Sequence, residues 1–281
     1  MNLFKIISEL EKVDPEIMDR LTHRRSALSA LGDLSKKMAL AAAPIAIGSA
    51  FNKAMGQNTL TSVNDVLNYA LLLERLEYSF YDQALKAATL TVPLTGAARA
   101  AIETIRNHED AHVKLLTTTL GPAAAPAPSN FDFGTAFSTY ETFLTFAQAF
   151  EDTGVRAYKG QATVIKNANN PALLTIALQI HSVEARHAAH VRYMRRGATA
   201  GNQSTIMPWV VNAEANGAPA PVYGAGNPVA TFPAEDNLMQ GGLTLTSING
   251  TTYTAADVSA AFDEGLDSTT VTNIARSVVK F

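Results

Sequence analysis

Between residues 58 and 200, apolar positions recur at intervals of three and four, the period of a helix with one buried face. Four such stretches follow one another. The first opens at Ser62-Val63-Asn64-Asp65, a capping serine with an acid three residues on, and runs to about Ala88, ahead of Val92-Pro93-Leu94. The second starts after Thr95 and stops before Gly121-Pro122. A connection from Pro122 to about Phe137 is rich in Ala and Pro and has no apolar period. The third stretch opens at Ser138-Thr139-Tyr140-Glu141, again read as a capping box, and ends near Asn167. The fourth has Asn170 as N-cap, Pro171 at the first helical position and Gly197 past its end. Two helical hairpins joined by one long crossover predict an all-α four-helix bundle.

Polar residues interrupt the apolar stripes in a repeating way. The second stretch reads Ile102, Ile105, Glu109, His112, Leu116 along its seam, and the fourth reads Ala177, Ile180, Glu184, His187, Val191 at the same offsets. Each therefore carries Glu-x-x-His where a core residue belongs. The first stretch reads Leu67, Leu71, Glu74, Tyr78, Tyr81, Leu85, and the third Leu144, Ala147, Glu151, Val155, Tyr158, Ala162. Each of these has one mid-seam Glu and a Tyr seven residues later. The unit Glu-x6-Tyr followed by Glu-x-x-His thus occurs twice. Residues three apart share a helix face, so one cation can take a carboxylate and an imidazole from a single turn. Four carboxylates in one core cannot all stay ionised without cations. Two divalent ions would neutralise them, and two imidazoles would complete the ligand set.

The flanks differ from the bundle. Residues 20–57 hold Arg20, Arg24, Arg25, Lys36, Lys37 and Lys53 against Asp33 alone, so this stretch is strongly basic while the whole chain is −3. The apolar run Met38–Phe51 and Ala54-Met55-Gly56 follow, in the order of an export signal. Arg24-Arg25 with Leu28 resembles a twin-arginine signal, departing from it at Ala27 and at Lys36-Lys37. Residues 1–57 are expected to direct export to the periplasm or cell envelope. The alternative is a retained amphipathic helix pair in a cytoplasmic protein. The basic segment is also a candidate for membrane-surface contact. Residues 201–281 are rich in Gly, Pro, Asn and Thr up to Thr252 and are read as a loop-rich extension wrapping the bundle. A hairpin is expected near Leu243–Thr252, and two short helices, one capped at Thr254 and one after Ser268. Met207-Pro208-Trp209 is read as the anchor of the wrap, and Glu235-Asp236-Asn237 as a simple turn.

Composition narrows the chemistry. There is no cysteine, which removes disulfides, zinc–thiolate sites, iron–sulfur clusters and thiol nucleophiles and leaves His and carboxylate as the strong metal ligands. The net charge gives nucleic-acid binding no support. No apolar run is long enough for an ordinary transmembrane helix. The chain is 47% hydrophobic, enough for a sizeable core.

With the seam residues in place, residues 60–197 resemble the ferritin-like superfamily. The basic N-terminal segment and Ala261-Phe262-Asp263-Glu264 resemble the bacterial ferritin-like group that includes plant desiccation-related proteins. The resemblance implies a dinuclear centre of two Fe or two Mn ions. Glu74 and Glu151 would be terminal ligands, Glu109 and Glu184 bridging ones, and His112 and His187 would bind one ion each. Tyr81 and Tyr158, the candidate catalytic residues, would hydrogen-bond to carboxylates across the site. Many oxygen-activating relatives carry an Asp just before the Glu-x-x-His glutamate to orient a ligand His; here those positions are His108 and Val183, so that support is absent or differently built. His108, His181 and His190 are expected beside the site or at the surface, with direct ligation as the alternative, and Glu77 at the edge of the seam, with a role as an extra ligand as the alternative. The expected activity is redox chemistry with peroxide or O2 in stress protection. The alternatives are a non-catalytic metal-binding protein and a structural one. A homo-oligomer is compatible with the sequence.

Overall fold

The structure is a computed structural model that describes residues 60–90, 94–197, 205–248 and 250–280. The expected export signal and basic segment, and Val92-Pro93, lie outside the described residues. Four long helices make the bundle: α1 (Val63–Lys86), α2 (Gly96–Leu120), α3 (Tyr140–Asn167) and α4 (Pro171–Gly197). Helix α1 packs chiefly on α2 and α3 chiefly on α4, with α1 against α3 joining the hairpins. The described residues thus form an all-α four-helix bundle with one long crossover.

Capping chemistry explains where α1, α3 and α4 begin, whereas Thr95 ahead of α2 makes no side-chain cap. Ser62 Oγ accepts from the Asp65 amide at 3.1 Å, and the Asn170 side chain accepts from the Leu173 amide at 3.1 Å. The cap of α3 is Thr139, whose hydroxyl accepts from the Thr142 amide, not the expected Ser138. The first helix stops at Lys86, two residues short of the expected end.

The crossover between α2 and α3 is better anchored than its composition suggests. Phe131, Phe133 and Ala136 are buried, and Phe80 of α1 packs its ring against those of Phe133, Phe137, Phe143 and Phe150. The Asn68 amide group donates to Ala123 O and accepts from the Ala125 amide. Isolated aromatic anchors carry no period, which is why the segment reads as a bare connection.

The C-terminal segment forms two small hairpins rather than one: β1 (Met239–Gln240) with β2 (Leu243–Thr244), and β3 (Ser247–Ile248) with β4 (Thr251–Thr252). Helices α5 (Ala255–Ser259) and α6 (Ser268–Val278) follow, α5 with a full capping box between Thr254 and Asp257. Trp209 is 49% exposed and does not anchor this segment; Ile206 and Val210 on either side of it are buried instead. The anchors are polar. Arg156 of α3 is buried and donates to the carbonyl oxygens of Val222, Gly224, Pro233, Glu264 and Gly265. Its Nε lies 2.9 Å from Glu235. Glu235 stands in the turn expected there and is also a buried ion-pair partner; burial pushes it up to about 8 against the pull of Arg156. Asp152 pairs with Arg192 at 2.5 Å and accepts from the Tyr223 hydroxyl at 2.6 Å, tying α3, α4 and the extension together. Among the described residues, no helix is long and apolar enough to cross a membrane.

One close approach fixes α3 against the extension. A Cβ at Gly160 would lie 2.0 Å from the Leu266 carbonyl oxygen, and a Cβ at Gly265 would lie 3.0 Å from the Gly160 α-carbon. Gly160→Ala is expected to destabilise the protein by about 2–3 kcal/mol, since a backbone oxygen cannot step aside as a flexible side chain would. Chemical denaturation of the variant and the parent measures it. An unchanged midpoint would show that the extension does not press on α3.

Candidate metal centre

The bundle core divides into two apolar clusters. Near one end are Leu67, Leu71, Leu116, Ile165, Leu173 and Ile180. Near the other are Leu76, Phe80, Ile102, Ile105, Phe143 and Val191. Between them, on all four helices, lie the seam residues that the spacing singles out. Glu74, Glu109, Glu151 and Glu184 are fully buried, and His112 and His187 nearly so.

Two overlapping groups form. In one, Glu74, Glu109, Glu184 and His112 each place a ligand atom within 4.8 Å of the others; in the second, Glu109, Glu151, Glu184 and His187 do the same. Glu109 and Glu184 are common to both. His112 Nδ1 lies 3.0 Å from both Glu74 Oε2 and Glu109 Oε2, and 3.3 Å from Glu184 Oε1. His187 Nδ1 lies 2.8 Å from Glu109 Oε1 and 3.3 Å from Glu151 Oε2. The arrangement has an approximate twofold character that follows from the sequence repeat.

The tyrosines obey the same repeat. Tyr81 of α1 donates to Glu151 of α3, and Tyr158 of α3 donates to Glu74 of α1. A heptad returns a side chain to nearly the same face, so each Tyr reaches across to the carboxylate of the opposite helix. Burial, with the neighbouring carboxylates adding to it, lifts both phenols well above their ordinary value.

The carboxylates are electrostatically unequal. Burial pushes Glu74 up to about 7, although His112 pulls the other way. Burial and the charge of Glu109 raise Glu184, and burial also raises Glu151. Burial opposes the charge of Glu109 too, but hydrogen bonds from His112 outweigh it and hold this group down to about 2. Burial disfavours the imidazolium of His187, yet the Glu151 charge outweighs it and lifts that ring to about 11. His112 is raised as well, against burial, by its bonds to Glu109, Glu184 and Glu74.

The remaining candidates fall in three places. His108 Nδ1 lies 2.9 Å from His187 Nε2, and the two rings are nearly parallel. The residue before Glu109 thus orients the histidine of the opposite Glu-x-x-His turn, with an imidazole in place of a carboxylate. Its counterpart Val183 has no hydrogen-bonding group, so the support is one-sided. His181 faces the Val155 carbonyl at 3.0 Å, and His190 stands beside Tyr193, away from the centre. Glu77 corrects the sequence reading: it is 3% exposed, inside the core, while Tyr78 on the expected seam is only half-buried. Helix α1 is covered by both α2 and α3, so its buried face is wider than one seam. Burial, and the charges of Glu184, Glu151, Glu74 and Glu109, raise Glu77 well above the usual carboxylate range.

These shifts fix a sign for stability. Folded Glu74 keeps its proton to about 7, whereas an unfolded glutamate loses it near 4.3. Through that window the folded state binds more protons, so stability falls as pH rises. Glu77, Glu151 and Glu184 act in the same sense, and so does His187 from about 6.5 upward. Glu109 has the opposite sign, but its window lies below about 4.3. Protein stripped with a chelator is therefore expected to melt several degrees lower at pH 8 than at pH 5. Differential scanning calorimetry reads this, and a higher midpoint at pH 8 would contradict the electrostatics of the cluster.

Comparison with known proteins places the fold. No curated protein and no solved structure matches the chain. Residues 62–196, which span all four bundle helices and every residue of the cluster, match the family model for a ferritin-like domain. This segment of the chain is similar to a ferritin-like domain, in keeping with its all-α bundle.

Proposed function

We propose that the cluster is a dinuclear centre for two iron or two manganese ions, and that it serves redox chemistry with peroxide or O2. The observation that carries this reading is a set of buried ligand atoms crowded against one another, whose approaches, such as 2.8 Å between Glu109 Oε1 and His187 Nδ1, lack hydrogen-bond geometry: Glu109 Oε1, Glu151 Oε2, both oxygens of Glu184 and His187 Nδ1. Leaving buried oxygens unpaired is costly, and cations remove that cost while offsetting the charge. Four carboxylates match the charge of two divalent ions. The donors are all imidazole and carboxylate, which suit iron and manganese.

In this reading Glu74, His112, Glu151 and His187 would hold the ions together with Glu109 and Glu184, the two carboxylates common to both groups. Such a pair of ions would supply two-electron redox chemistry without a flavin or iron–sulfur partner. The protein orients the ligands: Tyr81 fixes Glu151, Tyr158 fixes Glu74, and His108 fixes His187. The two phenols hold protons beside the carboxylates, where an oxygen species would need them. The apolar clusters on both sides keep bulk water out. Peroxide ranks above substrate hydroxylation, because a hydroxylase would also need an external reductase. The physiological assignment extends the same reading: an exported, stress-protective protein akin to the desiccation-related group. It rests on the resemblance of residues 1–57 and 261–264 described above.

Elemental analysis of protein from its native host is expected to give two Fe or Mn per chain. The His112→Ala, His187→Ala double variant should lose most of that metal. Stopped-flow absorbance of the Fe(II) or Mn(II) form mixed with peroxide should then show a phase at least about tenfold faster than in the double variant. Metal bound at full stoichiometry with no such phase would favour a non-catalytic metal-binding protein instead.

A further inference from the structure

Glu77 has no place in the six-residue set, yet it is buried in the same core. It stands one turn after Glu74 on α1, and it makes no hydrogen bond or ion pair with another described residue. Its surroundings show where its carboxylate points. A Cβ at Gly154 of α3 would lie 3.2 Å from Glu77 Oε1 and 3.3 Å from Glu184 Oε2. The two oxygens therefore flank the same small space over the Gly154 α-carbon, one turn beyond Glu151. Gly154 is buried within α3, with a backbone that any residue could adopt. Glycine inside a helix weakens it, so its presence here is explained by the room it leaves for the two carboxylates.

We propose that Glu77 is a seventh ligand-bearing residue of the centre, supplying a carboxylate beside Glu184 in the space that Gly154 keeps open. The inference rests on the reading of the cluster as a metal site. The Glu77 oxygens stand outside both groups of mutually close ligand atoms, on the Glu184 side of them. A fifth carboxylate also exceeds what two divalent ions need, and so favours a centre that carries one more positive charge.

Glu77→Gln separates a ligand from a merely buried acid, because the two roles give opposite signs. Removing a buried carboxylate with no cationic partner should leave the melting point of chelator-stripped protein unchanged or raised. Removing a ligand should weaken Mn(II) binding, measured by competition with a chelating dye, by about tenfold or more. The visible absorption of the Co(II)-loaded variant should also shift, since it reports the atoms bound to the ion. Gly154→Ala gives an independent arm. It makes α3 a better helix but crowds both oxygens, and it should weaken Mn(II) binding without lowering the melting point of stripped protein. If Glu77→Gln binds Mn(II) as the parent does, with an unchanged Co(II) spectrum, Glu77 is not a ligand while the six-residue centre stands. If the parent binds neither ion, the metal centre fails and the role of Glu77 fails with it.

Discussion

The structure depends on placing four glutamates at the middle of an apolar core. An isolated buried carboxylate is strongly disfavoured, so a bundle that carries four must answer each. The answers lie on the facing helices. Tyr81 and Tyr158 supply protons to Glu151 and Glu74, and His112 and His187 stand against Glu109 and its neighbours. Each tyrosine stands on the helix facing its carboxylate and His187 of α4 faces Glu109 of α2, whereas His112 shares α2 with Glu109 and also reaches Glu74 of α1. The cluster therefore fixes the register of α1 against α3. A slip of one residue on either helix would rotate a carboxylate by about 100° and out of the set. The apolar clusters above and below provide the association energy, while the polar layer between them selects one alignment.

The twofold repeat of the sequence is broken at two points, and both breaks concern the surroundings of the six cluster residues rather than those residues themselves. His108 supports His187, but Val183 offers His112 nothing comparable. Glu77 adds a carboxylate after Glu74, whereas Gly154 occupies the matching position after Glu151. A symmetric frame of carboxylates and imidazoles inside an asymmetric shell makes its two halves inequivalent. The second break is also internally consistent: the small residue on α3 provides the space that the extra acid on α1 fills.

Periodicity made most of this legible in the sequence. Helices of some 25 residues with capped starts repeat their pattern many times, and Glu109/His112 and Glu184/His187 recur at identical offsets among apolar residues. That is why the bundle, the six cluster residues and the crossing tyrosines could be read directly. What escaped was non-periodic. Glu77 differs from an edge residue only through the contact of α1 with α3, which no single-helix pattern contains. Trp209 looked like an anchor because large apolar residues usually are, but the segment is held by buried polar groups. Glu235 and Arg156 are 79 residues apart, and nothing local to either reveals the ion pair. The orienting role of His108 needed the approach of α2 to α4.

Helix α3 links the cluster to the extension. Its residues Glu151, Gly154 and Tyr158 face the centre, while Asp152, Arg156 and Gly160 face α4 or the C-terminal segment. Successive residues on a helix turn by about 100°, so one rigid element serves both sides at once. Arg156 binds five carbonyl oxygens of the extension and Gly160 meets its backbone directly, which leaves α3 little freedom to rotate. A ligand on a helix that cannot rotate keeps its direction whether or not an ion is present. The extension thereby acts on the cluster without touching it: by immobilising α3, it holds Glu151 and Tyr158 in place, and the cost of gathering these acids is met by folding.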